Sequence, residues 1–217
     1  FIFALKLFGR PSTAHRANSF AMLAMALAVF SAFNFDFSKY DSAFYITIVV
    51  SGLLGVVISK RVQMTQMPEL VGLFNGFGGG ASGAIAYVEL SKTSLPISDV
   101  FVAIFSMVIG IFTFSGSLIA VLKLRGKLNN FSTKLGNIFS VFLPTIIIIP
   151  AVLEMDTFLN EFIILVALIA GVIRVAVIGG ADMPVVIAFL NSLSGIAAMS
   201  AGFIAVSYTH LTLPTRS

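Results

Sequence analysis

The chain contains no cysteine. That excludes disulfides and any thiolate metal site. Its two histidines are His15 and His210, and two His without Cys do not make a structural zinc site, so no bound metal is expected. Charge is scarce as well. Asp, Glu, Lys and Arg make up 10% of the 217 residues, against about 25% in an ordinary soluble domain. Hydrophobic residues make up 58%. A soluble fold of this length cannot hide that much apolar surface, so its solvent is read as lipid. An initiator Met is also missing, since Phe1 lies inside an apolar run. The last stretch, VSYTHLTLPTRS over 206–217, is polar, unlike what precedes it, and similar to translated sequencing-adapter sequence. The expectation is a membrane domain over 1–205, cut at both ends, followed by a non-native tail over 206–217.

Spanning a bilayer core as helix takes about 20 apolar residues. Stretches of that kind fall at roughly 18–35, 42–59, 67–88, 98–122, 135–153 and 158–180. Residues 1–9 read as the end of an earlier span, and another starts at Met183. Backbone in hydrocarbon must satisfy its own hydrogen bonds, so each stretch is expected to be helical. The fold class is therefore all-α: a polytopic membrane helix bundle of about seven to eight transmembrane helices.

The loops alternate in charge. Odd-numbered loops hold Lys6, Arg10, Arg16, Lys60, Arg61, Lys123, Arg125, Lys127, Lys134 and Arg174, whereas even-numbered loops hold Lys39 and Lys92. By the positive-inside rule the Lys/Arg-rich loops are cytoplasmic. The formal net charge of +4 then reports orientation, and no nucleic-acid partner is implied.

Two segments repeat a pattern. MPELVGLFNGF starts at Met67 and MPVVIAFLNSL at Met183, each with an Asn eight positions after its Met, Asn75 and Asn191. Both follow odd loops, so both helices are expected to start at the cytoplasmic face and run parallel. Pro68 and Pro184 suit the first turn of a helix, where a missing N–H costs nothing. Thr65 or Gln66, and Asp182, are expected as caps. Glu69 places a carboxylate in the first turn, at the cytoplasmic entrance, where the helix dipole favours it. At 1.5 Å per residue each Asn lies about 10 Å past its proline, at membrane depth. An amide there faces protein or water. It is either interhelical glue or part of a hydrated path, and spacing alone leaves both open.

Gly76, Gly78 and Ala81 fit a G-x-G-x-x-A pattern, but no strand precedes it and it lies within a span, so a nucleotide loop is rejected. Gly72, Gly76, Gly80 and Gly83 read instead as small-residue helix packing, with Gly195 as a weaker counterpart in the second segment. Ser115 and Ser117 fall inside the span at 98–122. The ordinary expectation for such hydroxyls is a bond to a carbonyl one turn back.

The stretches KRVQMTQMPELVGLFNG at 60–76, TFSGSLIAVLKLRGKL at 113–128, GGADMPVVIAFLNSLSG at 179–195 and HRANSFAM at 15–22 carry a resemblance. The chain resembles the membrane domain of the β subunit of proton-translocating NAD(P) transhydrogenase, over most of its length. The resemblance implies a bacterial inner-membrane protein that couples proton passage to hydride transfer between NAD(H) and NADP(H). It implies an α subunit that binds NAD(H), a soluble NADP(H)-binding domain after the β subunit's membrane helices, and a dimer of the complete enzyme. This chain is then expected to bind neither nucleotide and to hold no complete active site. Asn75 falls where many members have a proton-carrying histidine, and Asn191 on an Asn that faces it. Ser117 falls on a Ser near the path, and Asp182 on the Asp that links the channel to the NADP(H) domain. Asn at 75 is a departure, because an amide orients water but accepts no proton near neutral pH. The alternative is an unrelated membrane transporter or channel with a polar site at the two Met-Pro helices, for which parallel repeats give precedent. A non-conducting membrane anchor is a third reading.

Overall fold

The structure is a computed structural model and describes residues 1–32, 41–91, 95–128 and 157–211. It divides into two compact units, Phe1–Arg61 and Val62–Ser217. The span expected over 135–153, and Lys39, Lys92 and Lys134, lie outside the described residues.

In the first unit, α1 (Ile2–Phe8) turns through a 3₁₀ segment, Pro11–Thr13, into α2 (Ala14–Ala32). Pro11 occupies the first position of that turn, where no N–H is needed. Thr13 Oγ1 donates to the carbonyls of Leu7 at 2.5 Å and Arg10 at 3.1 Å, which ties the corner. Phe3 and Phe20 meet edge to face at 5.1 Å and hold α1 on α2. The third helix, α3 (Ser42–Arg61), buries no side chain. Asp41 caps it, accepting from the Ser42 N–H at 2.6 Å. Lys60 and Arg61 fall in its last turn, at the negative end of the helix dipole. A helix that is apolar all round and unburied is one whose solvent is lipid.

The second unit holds α4 (Met67–Leu90), α5 (Ile97–Leu124), α6 (Thr157–Ala176) and α7 (Met183–Leu211). Helix α5 is the hub and packs against α4, α6 and α7. One apolar cluster gathers Ala86, Ile104, Met107, Val108, Ile163 and Ala167. A second gathers Ala120, Val175, Met183, Ile187 and Leu190. The second contains the Met of the second Met-Pro pair, fully buried, so that Met anchors the start of α7 against α5 and α6. Helix α5 stops at Gly126, the one described glycine with positive φ, 66°. Gly126 N–H bonds the Lys123 carbonyl and Lys127 N–H bonds the Leu122 carbonyl, which is a Schellman ending.

Among the described residues, Ser42–Arg61, Ile97–Leu124 and Gly180–Ala205 are long and apolar enough to cross a membrane. No strand occurs among them, in keeping with an all-α membrane helix bundle. Two expectations need correction. Gln66 does stand in the position before the first Met-Pro helix, but with helical φ and ψ and no side-chain bond into it, and among the described residues neither Thr65 nor Asp182 supplies a cap bond. Each Met-Pro helix is preceded by a 3₁₀ turn, Met64–Gln66 or Gly180–Asp182, that runs straight into it. The extended cap residues are therefore Gln63 and Gly179. Gln63 N–H donates to Gln66 Oε1 at 3.2 Å, and Asp182 stands in the opening turn rather than before it. Lys123 is not a loop residue either: it is buried in the last turn of α5.

Candidate functional site: a polar cluster between the Met-Pro helices

The glycines of α4 decide how closely its neighbours come. A Cβ at Gly72 would lie 3.0 Å from Val121, at Gly76 3.1 Å from Ser117, at Gly80 3.1 Å from Phe114 and at Gly83 3.0 Å from Ile111. As the α4 numbers rise the α5 numbers fall, so the two helices are antiparallel. The closest approach joins Gly79 and Gly110. A Cβ on Gly110 would sit 2.5 Å from the Gly79 carbonyl oxygen and 2.7 Å from Gly83 N. Backbone meets backbone there, and only glycine leaves the room. Gly171 of α6 does the same against Phe112 and Ser115 of α5. Gly195 meets nothing within 4 Å.

Helix α7 packs on the same groove. A Cβ at Gly72 would be 3.1 Å from Ile187, and one at Gly79 would be 3.2 Å from Ser194 Oγ. Contacts thus advance together along α4 and α7, each residue facing one 115 further on. The sequence repeat has an offset of 116 (Met67 to Met183). The two Met-Pro helices are therefore parallel, adjacent and in near-equal register, as the loop charges suggest. The glycine-rich stretch is filled by α5 and α7 and offers no cradle for a pyrophosphate.

At mid-helix these contacts enclose polar groups. Asn75 is buried, and its Nδ2 donates to Ser117 Oγ of α5 at 3.0 Å. Ser194 Oγ of α7 donates to the Asn75 backbone carbonyl at 3.2 Å. Thr113 lies beside them, its Cβ 3.0 Å from where a Gly79 Cβ would be. Asn75 Oδ1 and Thr113 Oγ1 are buried with no hydrogen-bond partner among the described residues. A buried polar atom left so costs about 1–3 kcal/mol, so Asn75 Oδ1 and Thr113 Oγ1 are the two polar atoms of this cluster whose burial the described contacts do not offset.

The sequence-derived candidates divide clearly. Asn75 and Ser117 come together. Asn191 is exposed on α7 and is not brought to Asn75; Ser194, one turn further on, meets it instead. At about 3.6 residues per turn, the one-residue offset between the contacts and the sequence repeat turns α7 by about 100°, which carries Asn191 off the contact and leaves Ser194 facing Asn75. Ser115 makes the ordinary local bond, to the Phe112 carbonyl at 3.1 Å, whereas Ser117 does not. Glu69 receives the Arg125 Nε–H at 2.6 Å, linking the start of α4 to the end of α5. Asp182 is exposed in its 3₁₀ turn. Gly72, Gly76, Gly80 and Gly83 lie in close interhelical contact.

Sequence reading passed over Thr113, Ser194, Gly110 and Gly171. Thr113 and Gly110 sit in the same span as Ser117, but nothing in one helix says which neighbour it will meet. The buried ammonium of Lys123 donates to the carbonyls of Ala176 and Ile178, at the end of α6. The nearest sequence signal for it was its place in a basic loop, which hid its burial.

Comparison with known proteins agrees in one direction. The sequence profile of the family described as NAD(P) transhydrogenase beta subunit matches residues 1–212. The NAD(P) transhydrogenase subunit beta of Rhodospirillum rubrum is 32% identical over 227 residues, covering 94% of this chain and 47% of that protein. The subunit from a named strain of the same species aligns equally, at 32% identity. The chain spans about half the length of the curated relatives it matches.

Proposed function

The chain belongs to the NAD(P) transhydrogenase beta subunit family, and from that premise we propose that its membrane helices form the proton-translocating part of the enzyme. The observation that carries this reading is the enclosed cluster of Asn75, Ser117, Ser194 and Thr113, at the contact of the two Met-Pro helices with α5. Its amide and hydroxyls both donate and accept, so they can hold and orient water through a region otherwise lined by hydrocarbon. Neither Asn75 nor Asn191 titrates near neutral pH. In this reading water carries the proton past them, and the side chains set its path. Asn191 lies at the matching depth and joins the path from the exposed side of α7.

The cytoplasmic end of the path lies at Glu69 and Asp182, which stand in the opening turns of the parallel helices. Lys/Arg-rich loops face the cytoplasm, and the chain crosses the membrane several times. Asp182, exposed on its turn, is where a soluble NADP(H)-binding domain acts on the channel. Hydride transfer between NAD(H) and NADP(H) takes place on soluble domains outside these helices, with an α subunit binding NAD(H) and the complete enzyme a dimer. The close glycine contacts hold α4, α5 and α7 in register around the cluster. An unrelated transporter is the weaker reading, because the family match covers nearly the whole chain.

The test is proton movement by the complete enzyme in sealed vesicles. Asn75→Leu removes the amide at nearly constant volume. Interhelical hydrogen bonds average about 0.6 kcal/mol in such bundles, so assembly should survive. Proton-coupled hydride transfer should fall at least about tenfold, equivalent to about 1.4 kcal/mol of barrier. Full coupling in an assembled Asn75→Leu enzyme would remove the hydrated-path role.

A further inference from the structure

The last turn of α5 reaches two places at once. Lys123 is buried, and its ammonium donates to the carbonyls of Ala176 and Ile178. Those carbonyls end α6 and open the turn that leads through Gly179 and Gly180 to Asp182. Two residues on, Arg125 Nε donates to Glu69 Oε2 at 2.6 Å, in the first turn of α4. A single short stretch, Lys-Leu-Arg, thus holds the approach to the second Met-Pro helix with one side chain and the start of the first with another. The Schellman ending at Gly126 fixes the stretch itself.

The chemistry suits a link better than a plain packing element. A buried ammonium needs several acceptors, and the C-terminal carbonyls of a helix are free to accept and carry the negative end of its dipole. Lys123 therefore has a strong reason to follow those carbonyls if the turn shifts. Arg125 is about half exposed and Glu69 mostly covered, so this second contact can rearrange at lower cost. We propose that Lys123 and Arg125 form a clasp that transmits movement of the 177–182 turn to Glu69 and the first Met-Pro helix, making both of them positioning residues for proton coupling. The proposal rests on the proton-path reading above and adds the route by which the Asp182 turn and the Asn75 helix move together.

The experiment uses the complete enzyme in sealed vesicles. The coupling ratio is the hydride-transfer rate after an uncoupler dissipates the gradient, divided by the rate with the gradient in place. Lys123→Met and Arg125→Met should each bring the excess of this ratio over unity down at least threefold. The uncoupled rate should stay within twofold and the nucleotide KM unchanged. Lys123→Arg, which keeps donors and charge, should retain more than half of the excess. Amide exchange at Ile178 and Asp182 should quicken at least tenfold in Lys123→Met. A wild-type ratio in Lys123→Met, or a Lys123→Arg enzyme as poorly coupled as the Met variant, overturns the clasp. If Lys123→Met does not assemble, Arg125→Met, altered at a half-exposed site, decides alone, and a wild-type ratio there overturns it. Asn75→Leu is measured in parallel. Loss of coupling in Asn75→Leu with wild-type coupling in both clasp variants overturns the clasp and spares the path. Wild-type coupling in Asn75→Leu with loss in the clasp variants overturns the path reading and supports the clasp.

Discussion

Gly110→Ala is the smallest change that should part α4 from α5. The added Cβ would stand 2.5 Å from the Gly79 carbonyl oxygen, 2.7 Å from Gly83 N and 3.0 Å from Gly83 Cα. Carbon prefers neighbours at about 3.5 Å or beyond, and all of these atoms are backbone, so no rotamer change gives way. The helices must separate by about 1 Å locally. A gap of that size forfeits a quarter to a half of each facing dispersion contact, and overpacking of this kind costs about 1–3 kcal/mol. Alanine returns up to about 1 kcal/mol through better helix propensity, leaving a net loss of up to about 2 kcal/mol. Gly78→Ala is the matched control. It lies one residue before Gly79 on the same helix, and a Cβ there meets nothing within 4 Å. It keeps the propensity gain and pays no steric cost. Thermal unfolding of the purified protein in detergent should rank Gly78→Ala at or above wild type and Gly110→Ala clearly below. Equal stability of the two variants would refute the backbone contact and, with it, the enclosure of Asn75.

Two further predictions bear on single groups. Asp182→Ala should weaken the coupling of proton flow to NADP(H) release in the complete enzyme, read as a lower coupling ratio. Its carboxylate sits in the opening turn of a helix, where it is worth about 0.3–1 kcal/mol, so a loss of activity that merely tracks that stability change would leave it a dipole partner only. Thr113→Val keeps shape and removes a buried hydroxyl that no described group satisfies. If water occupies the site, coupling falls while the melting temperature changes little; unchanged coupling with a rise worth about 1 kcal/mol or more would show a dry site.

Much of this arrangement was legible in the residues. Loop charge fixed the parallel direction of the Met-Pro helices, and the spacing of Gly72, Gly76 and Gly80 fixed a close-packing face. Both are properties of one segment read alone. The partners across that face were not legible. Whether Asn191 or Ser194 turns toward Asn75 depends on a rotation of α7 by less than one turn, set by Met183, Ile187 and Leu190 in the apolar cluster. Lys123 shows the same limit from the other side. A lysine at a span end reads as a cytoplasmic charge, yet two carbonyls more than fifty residues away, one at the end of α6 and one in the turn after it, hold it in a buried position. The helix caps were misplaced for a local reason: a 3₁₀ turn before each Met-Pro pair moves the first free N–H groups back by three residues.

On the proposed proton path Asn75 and Ser117, joined by the bond from Asn75 Nδ2 to Ser117 Oγ, act as one unit. A double-mutant cycle on proton uptake per hydride transferred, with Asn75→Leu, Ser117→Ala and the pair in the complete enzyme, reads that unit. Each single variant should lower proton coupling severely, and the double variant should be no worse than the more severe single one. Independent, additive losses, or full proton coupling in the double variant, would contradict their acting as one unit.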